Sequence, residues 1–172
     1  MKITVRGEDY IIKRDTFLTQ VVYELYNLQN EEIGSLYYCI NQTNARNDLW
    51  LININIKPYY QTRGLGQFLF DLLVNDALLA HVNFIEGKYF PTNDHAKPFY
   101  EKNGCEIYKE YYDTYVRKDI DDYSNINEYF TKVNQITEQE AIDSRQALLD
   151  KQKLTSLFGP DNRTNNGGGR DL

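Results

Sequence analysis

The residues most able to do chemistry lie in one stretch, Ile52-Asn53-Ile54-Asn55-Ile56-Lys57-Pro58-Tyr59-Tyr60-Gln61-Thr62-Arg63-Gly64-Leu65-Gly66-Gln67-Phe68-Leu69. It reads as a strand, a tight loop and a helix. In Gln61-x-x-Gly64-x-Gly66, two residues without side chains stand where the backbone enters the helix, so successive N–H groups are able to converge on an anion. The helix start adds its dipole and its unpaired donors, which hold a phosphate or pyrophosphate without a cluster of basic side chains. Glycines at a helix start also serve as turn formers or allow close packing, and the pattern alone leaves both readings open. Two rival phosphate sites lose ground: the Gly-Lys-Ser/Thr ending of a triphosphate loop is missing, and only two of the three glycines of a dinucleotide fingerprint are there.

A second constellation follows about forty residues later, Asn93-x-x-Ala96-x-x-Phe99-Tyr100-Glu101-Lys102-Asn103-Gly104-Cys105. Together the two stretches resemble the GNAT superfamily of acyl-CoA N-acyltransferases. Residues 49 to 73 resemble its motif A, with Gln61, Gly64 and Gly66 matching the Arg/Gln-x-x-Gly-x-Gly/Ala signature. The later stretch is similar to its second helix motif in residue type and spacing. The resemblance spans roughly residues 1 to 117, is strongest over 49 to 108, and leaves the rest of the chain outside it.

The resemblance implies a role for each matching residue. The backbone amides of Thr62, Arg63, Gly64, Leu65 and Gly66, with Gln61, would hold the pyrophosphate of CoA. Ile54 and Ile56 would lie on a strand splayed from its neighbour, leaving backbone groups for the pantetheine amides. Asn93 resembles the residue that contacts the cofactor arm, and a helix N-cap is an equal reading. Tyr100 resembles the tyrosine that protonates the departing CoA thiolate, although a chain with 15 tyrosines uses most of them in packing or at the surface. With reference pKa values near 10 and 8.5, that transfer is uphill by only about 2 kcal/mol. Phe99 reads as core.

Removing the proton of the acceptor is harder, because an amine of pKa near 10.4 costs about 4.6 kcal/mol to neutralise at pH 7. Many family members place a Glu or a water relay on the strand before motif A, yet Trp50 to Ile56 contains no carboxylate. Glu24, Asp48 and Glu106 are candidates on neighbouring strands or their ends, and an acidic residue there is more often a solvated strand-face or turn residue. His81 and His95 stand alone, with no Cys, Asp or Glu at ligand spacing, so no metal is expected. Tyr108, Tyr111, Tyr112 and Tyr115 form an aromatic hairpin that reads first as packing.

The elements that must position these groups follow from periodicity. Ile3 to Val5, Gln20 to Leu28, Ile33 to Ile40 and Leu49 to Ile56 read as an antiparallel meander. Residues 63 to 81 change period, with Leu65, Phe68, Leu69, Leu72 and Leu73 set against Asp71, Asn75 and Asp76, and predict one long helix. A strand at Val82 to Ile85 with Tyr89-Phe90, a helix at Asp94 to Lys102 and a hairpin of Cys105 to Tyr108 with Tyr111 to Val116 complete the order. A strand, helix and strand in succession form a crossover, so one parallel pair is expected in an otherwise antiparallel sheet. The predicted class is mixed α/β: a mostly antiparallel twisted sheet with a splayed central pair and flanking helices. A C-terminal helical appendage follows. The expected divisions are 1–118 for the acyltransferase domain, 119–158 for a helical extension and 159–172 for a flexible tail.

Charge and composition bound the function. A chain of 172 residues with net charge -6 disfavours holding polyanions by general attraction, and nucleic acid is a poor partner. No apolar run approaches a membrane span, and the amino terminus lacks the apolar centre of a secretion signal, so a soluble cytoplasmic protein is expected. Cys39 and Cys105 lie in apolar strand-like runs and read as buried reduced thiols. By resemblance, the expected activity is N-acyl transfer, with acetyl-CoA as the donor and a small-molecule or protein amine as the acceptor. The alternative is a catalytically degenerate CoA-binding module. In that reading the appendage docks a partner or a second copy of the chain as a homodimer.

Overall fold

A computed structural model of the chain describes residues 1–90 and 95–120. The expected helical extension and tail, apart from residues 119 and 120, lie outside the described residues, as does Asn93. Among the described residues eight strands run as β1 (Lys2–Val5), β2 (Glu8–Phe17), β3 (Gln20–Tyr26), β4 (Glu32–Gln42), β5 (Asn47–Ile56), β6 (Phe84–Tyr89), β7 (Glu106–Glu110) and β8 (Asp113–Asp119). Two α-helices, α1 (Leu65–Leu79) and α2 (Ala96–Lys102), follow β5 and β6, and a 3-10 turn spans Pro58–Tyr60.

The strands form one sheet in the order β1-β2-β3-β4-β5-β6-β8-β7. Every neighbouring pair is antiparallel except β5 and β6, the pair joined through α1, as the predicted crossover requires. This is the expected mixed class with one parallel pair. The sequence reading passes over β2. Its only core-facing side chains are Tyr10 and Ile12, set among Glu8, Asp9, Lys13, Arg14 and Asp15, so the apolar alternation is too short to stand out. What makes it a strand is pairing on both sides, to β1 and to β3.

Helix α1 packs on the sheet face that carries Leu36, Leu49 and Leu51, with its own Leu65, Leu69 and Leu73 in the core. Each such side chain contributes roughly 1.5–3 kcal/mol by leaving water. The helix is not the two-sided element that its sequence predicts: Asp71 and Asn75 are buried too. Asp76 is turned toward the sheet, where one carboxylate oxygen accepts the hydroxyls of Tyr23 (2.7 Å) and Tyr38. Two phenols on neighbouring strands supply the partners that a carboxylate needs away from water. At the far edge, β8 carries the sheet through Asp119, and buried Ile120 donates its N–H to Asn83 at 2.8 Å. Among the described residues no helix is long and apolar enough to cross a membrane.

Candidate active site

The ladder between β5 and β6 ends at Leu51 and Gly87, yet β5 continues to Ile56 and β6 to Tyr89. Beyond that point each strand pairs only outward, β5 with β4 as far as Ile56 opposite Gly34, and β6 with β8 as far as Tyr89 opposite Thr114. The central strands therefore part like the arms of a V. A bulge helps them do so: Tyr37 pairs with Asn53 and Tyr38 with Leu51, leaving Ile52 as an extra residue on β5, and such an insertion bends its strand.

On the helical face, the open half of β5 borders a groove of about 440 Å³. Its walls are Ile54 to Ile56 of β5, Gln61 and Thr62 of the loop, Gly66 of α1, and Ala96, Phe99 and Tyr100 of α2 with the preceding His95. The structure thus brings together Ile54, Ile56, Gln61, Thr62, Gly66 and Tyr100 from the sequence-predicted set. It also adds Asn55, His95 and Ala96, which the sequence reading did not select. Phe99, read as core, is half-buried: it meets Phe70 edge-on at 5.6 Å and faces the groove with its other side.

The loop between β5 and α1 is braced from below. Tyr60 accepts a hydrogen bond from Asn27 Nδ2 at 2.9 Å. Arg63 lies over the rings of Tyr59 and Tyr60, 5.1 and 5.2 Å from their centroids, and donates to Glu8 at 3.0 Å. Arg6 donates to the Thr62 carbonyl at 3.1 Å and runs under Gly64, where a Cβ would come within 2.8 Å of its Nε. Thr62 and Gly64 both have left-handed backbone, φ 64° and 85°. For threonine that conformation costs roughly 1–3 kcal/mol, a strain that the surrounding anchors hold in place.

This loop presents main chain. The N–H groups of Thr62, Arg63, Gly64, Leu65, Gly66 and Gln67 find no acceptor among the described residues; the first such bond is Phe68 N to Gly64 O at 3.0 Å. A helix start accounts for some of these orphan donors, and the two left-handed residues extend the run into the loop. Of the predicted side chains, Arg63 is turned to Glu8 and Leu65 is in the core, so both offer backbone only. Gln61 spends its amide on the strand end, donating from Nε2 to the Ile56 carbonyl at 2.9 Å. That bond also occupies the Ile56 carbonyl, which leaves the stretch before it as the free backbone of β5.

Tyr100 lines the groove from α2, edge-on to Phe70, Phe99 and Tyr89. Burial, with smaller contributions from Cys105 and Tyr89, pushes its phenol up to about 12, so it is a protonated donor at neutral pH. Burial likewise pushes the half-buried Cys105 thiol up to about 11.

None of the three carboxylates named as candidate bases borders the groove. Asp48 is fully buried and held by Arg46 at 2.8 and 3.0 Å and by Asn41 at 3.1 Å. Glu24 accepts the Tyr26 hydroxyl at 2.7 Å, and Glu106 is on β7, two strands from the opening. The carboxylate nearest the fork is Glu86, opposite Trp50 and one residue before the ladder ends. The sequence reading missed it because it ended the strand at Ile85. Among the described residues no group of three or more His, Cys, Asp or Glu is placed to hold a metal ion.

The family model for the acetyltransferase (GNAT) family matches residues 8–105. The chain belongs to the GNAT acetyltransferase family. Solved structures share its fold. The PaiA N-acetyltransferase from Thermoplasma acidophilum, in complex with coenzyme A, superposes with TM-score 0.52 at 18% identity, over 59% of this chain and 62% of that one. The ribosomal-protein-S18-alanine N-acetyltransferase from Escherichia coli gives 0.51 at 19% identity, over 61% and 72%. A GNAT-family acetyltransferase from Listeria monocytogenes gives 0.53 at 10% identity, over 70% and 100%. Among proteins of curated function none matches. In GNAT terms the match takes in β2 through α2, and with them the loop, the fork and Tyr100.

Proposed function

We propose that this chain is an N-acetyltransferase that moves an acetyl group from acetyl-CoA directly to a primary amine. The observation that carries the reading is the run of N–H groups from Thr62 to Gln67, without an acceptor among the described residues, in a loop whose Thr62 and Gly66 line the same groove as Tyr100. Such donors at a helix start suit a pyrophosphate, which explains how a chain of net charge -6 would hold so anionic a ligand. The guanidinium groups of Arg6, next to the loop, and of Arg63, turned to Glu8, add positive charge.

The unpaired half of β5 offers main-chain groups to the amides of the pantetheine arm, in the manner of an added strand. The thioester then reaches the fork beside Tyr100. An amine attacks its carbonyl carbon, the C–N bond forms as the C–S bond breaks, and the sulfur leaves as a thiolate. Tyr100 donates a hydrogen bond to that sulfur and then its proton, the nitrogen loses its surplus proton to solvent, and solvent returns a proton to the phenolate. From a phenol near 12 to a thiol near 8.5 the transfer is uphill by roughly 5 kcal/mol, so the hydrogen bond precedes full transfer. Positioning supplies most of the acceleration.

The described residues lining the groove include no carboxylate, which favours the second reading, a module that binds CoA without turnover. Calorimetry with CoA, followed by labelled acetyl-CoA with a panel of primary amines, separates the two. Binding and transfer are expected from the wild-type chain. Gly66→Trp is expected to lose both while remaining folded, because a side chain there points at the groove and a Cβ meets Phe99 at an ordinary 3.8 Å. Binding with no transfer to any amine would overturn the enzyme reading, and no heat of CoA association would overturn both.

A further inference from the structure

The face of the sheet away from α1 has its own chemistry at the apex of the fork. Trp50 and Glu86 are paired in register, one step before the last shared pair. Alternation along the strands directs them away from the helices. Trp50 meets Tyr115 edge-on at 6.2 Å, and Tyr115 stacks on Tyr108 at 5.6 Å. Glu86 sits among these rings with its side chain only 14% exposed.

The cations on this face already have carboxylates of their own. Arg46 pairs through two bonds with Asp48, Lys88 with Asp113 at 2.8 Å, and Arg117 with Asp119 at 2.8 Å. Glu86 is left over. Its Oε1 accepts the Tyr108 hydroxyl, while its Oε2 is 3.8 Å from Arg46 Nη2, too far for a hydrogen bond, and has no other donor among the described residues. A largely buried carboxylate with an open acceptor position, walled by aromatic rings, is a setting that a cation completes.

We propose that Glu86, with Trp50, Tyr108 and Tyr115, anchors a second cationic group of the acceptor. The substrate is then an amine that carries another positive charge some way from its reacting nitrogen. The carboxylate is turned to Tyr108, across β8 and away from β5, so it holds the far end of the acceptor while the near end meets the thioester. Two residues further along β6, at Lys88, the strand has advanced by about 6.6 Å, the span of a four-carbon diamine. This inference rests on the acetyltransferase reading, since the fork supplies the reacting end.

Trp50 is the only tryptophan in the chain, so its fluorescence reports on this site without turnover. The CoA-bound full chain would be titrated with butane-1,4-diamine and with butylamine, as wild type, as Glu86→Gln and as Asp15→Asn, an exposed carboxylate on distant β2. The diamine is expected to saturate the wild-type signal at a concentration about tenfold to a hundredfold lower than butylamine, the range of a hydrogen bond to a charged group. That preference should shrink in high salt, vanish in Glu86→Gln and survive in Asp15→Asn. No preference in the wild type, or an unchanged one in Glu86→Gln, overturns the anchor. A wild-type chain that binds CoA and acetylates amines without favouring the diamine sinks this inference alone. A chain that binds no CoA sinks the acetyltransferase reading along with it.

Discussion

A Cβ placed on Gly87 would lie 2.7 Å from the carbonyl oxygen of Leu51 and 3.1 Å from its Cβ. These two residues are the last that β5 and β6 share, so the apex of the fork is set by how closely two backbones approach. Gly87→Ala must push the strands apart at that point. Overpacking of this kind costs about 1–3 kcal/mol. Urea denaturation should show that loss, and an unchanged midpoint would mean that the apex is looser than its geometry.

Gly64 is tested differently, because its φ of 85° strains any other residue whatever the space around it. Gly64→Ala is expected to destabilise the fold by about 1 kcal/mol. It should also weaken CoA binding severalfold, since the new methyl displaces Arg6, which holds the Thr62 carbonyl. Calorimetry with CoA checks the second effect, and an affinity equal to wild type would detach Arg6 from the shape of the loop.

Tyr100→Phe keeps the ring contacts with Phe70, Phe99 and Tyr89 and removes only the proton donor. With chemistry rate-limiting, kcat should fall by roughly 10²–10⁴, the range for a positioned acid, with little change in CoA affinity. Because the wild-type phenol stays protonated to about 12, no loss of kcat between pH 8 and 10 should trace to it. A wild-type kcat in the Phe variant would remove Tyr100 from the reaction.

Gly64 and Gly66 are legible because the backbone they permit is their whole contribution, left-handed at Gly64 and bordering the groove at Gly66. The parallel β5–β6 pair follows from the order of elements alone. Less legible were features decided by partners distant in the chain. Strand β2 is held by neighbours on both sides rather than by its own pattern. Asp76 turns inward because Tyr23 and Tyr38 await it, and no local period predicts that. The fork matches the splay implied by family resemblance, but its apex depends on Gly87 lying against Leu51, 36 positions earlier, where sequence gives no signal.

The pair of phenols on Asp76 makes a prediction about alkaline stability. Burial first, and then the Asp76 charge, push Tyr23 and Tyr38 far above the ordinary value of 10. In the folded chain both keep their protons above pH 10, whereas in the unfolded chain they lose them there. The unfolded state then binds fewer protons, so the stability these groups confer is fully present below pH 10 and declines as pH rises past it. Tyr38→Phe removes one such group. Between pH 10 and 12 the fall in unfolding free energy should be shallower than wild type by roughly 1 kcal/mol per pH unit, rising toward the full value for one proton as the unfolded tyrosine ionises. At pH 7 the variant should be less stable by roughly 1.5–3 kcal/mol, for the lost hydrogen bond to a charged oxygen. Urea midpoints at pH 7, 10 and 11 measure both quantities, and parallel slopes for the two proteins would show that Tyr38 titrates as freely in the folded chain as in the unfolded one.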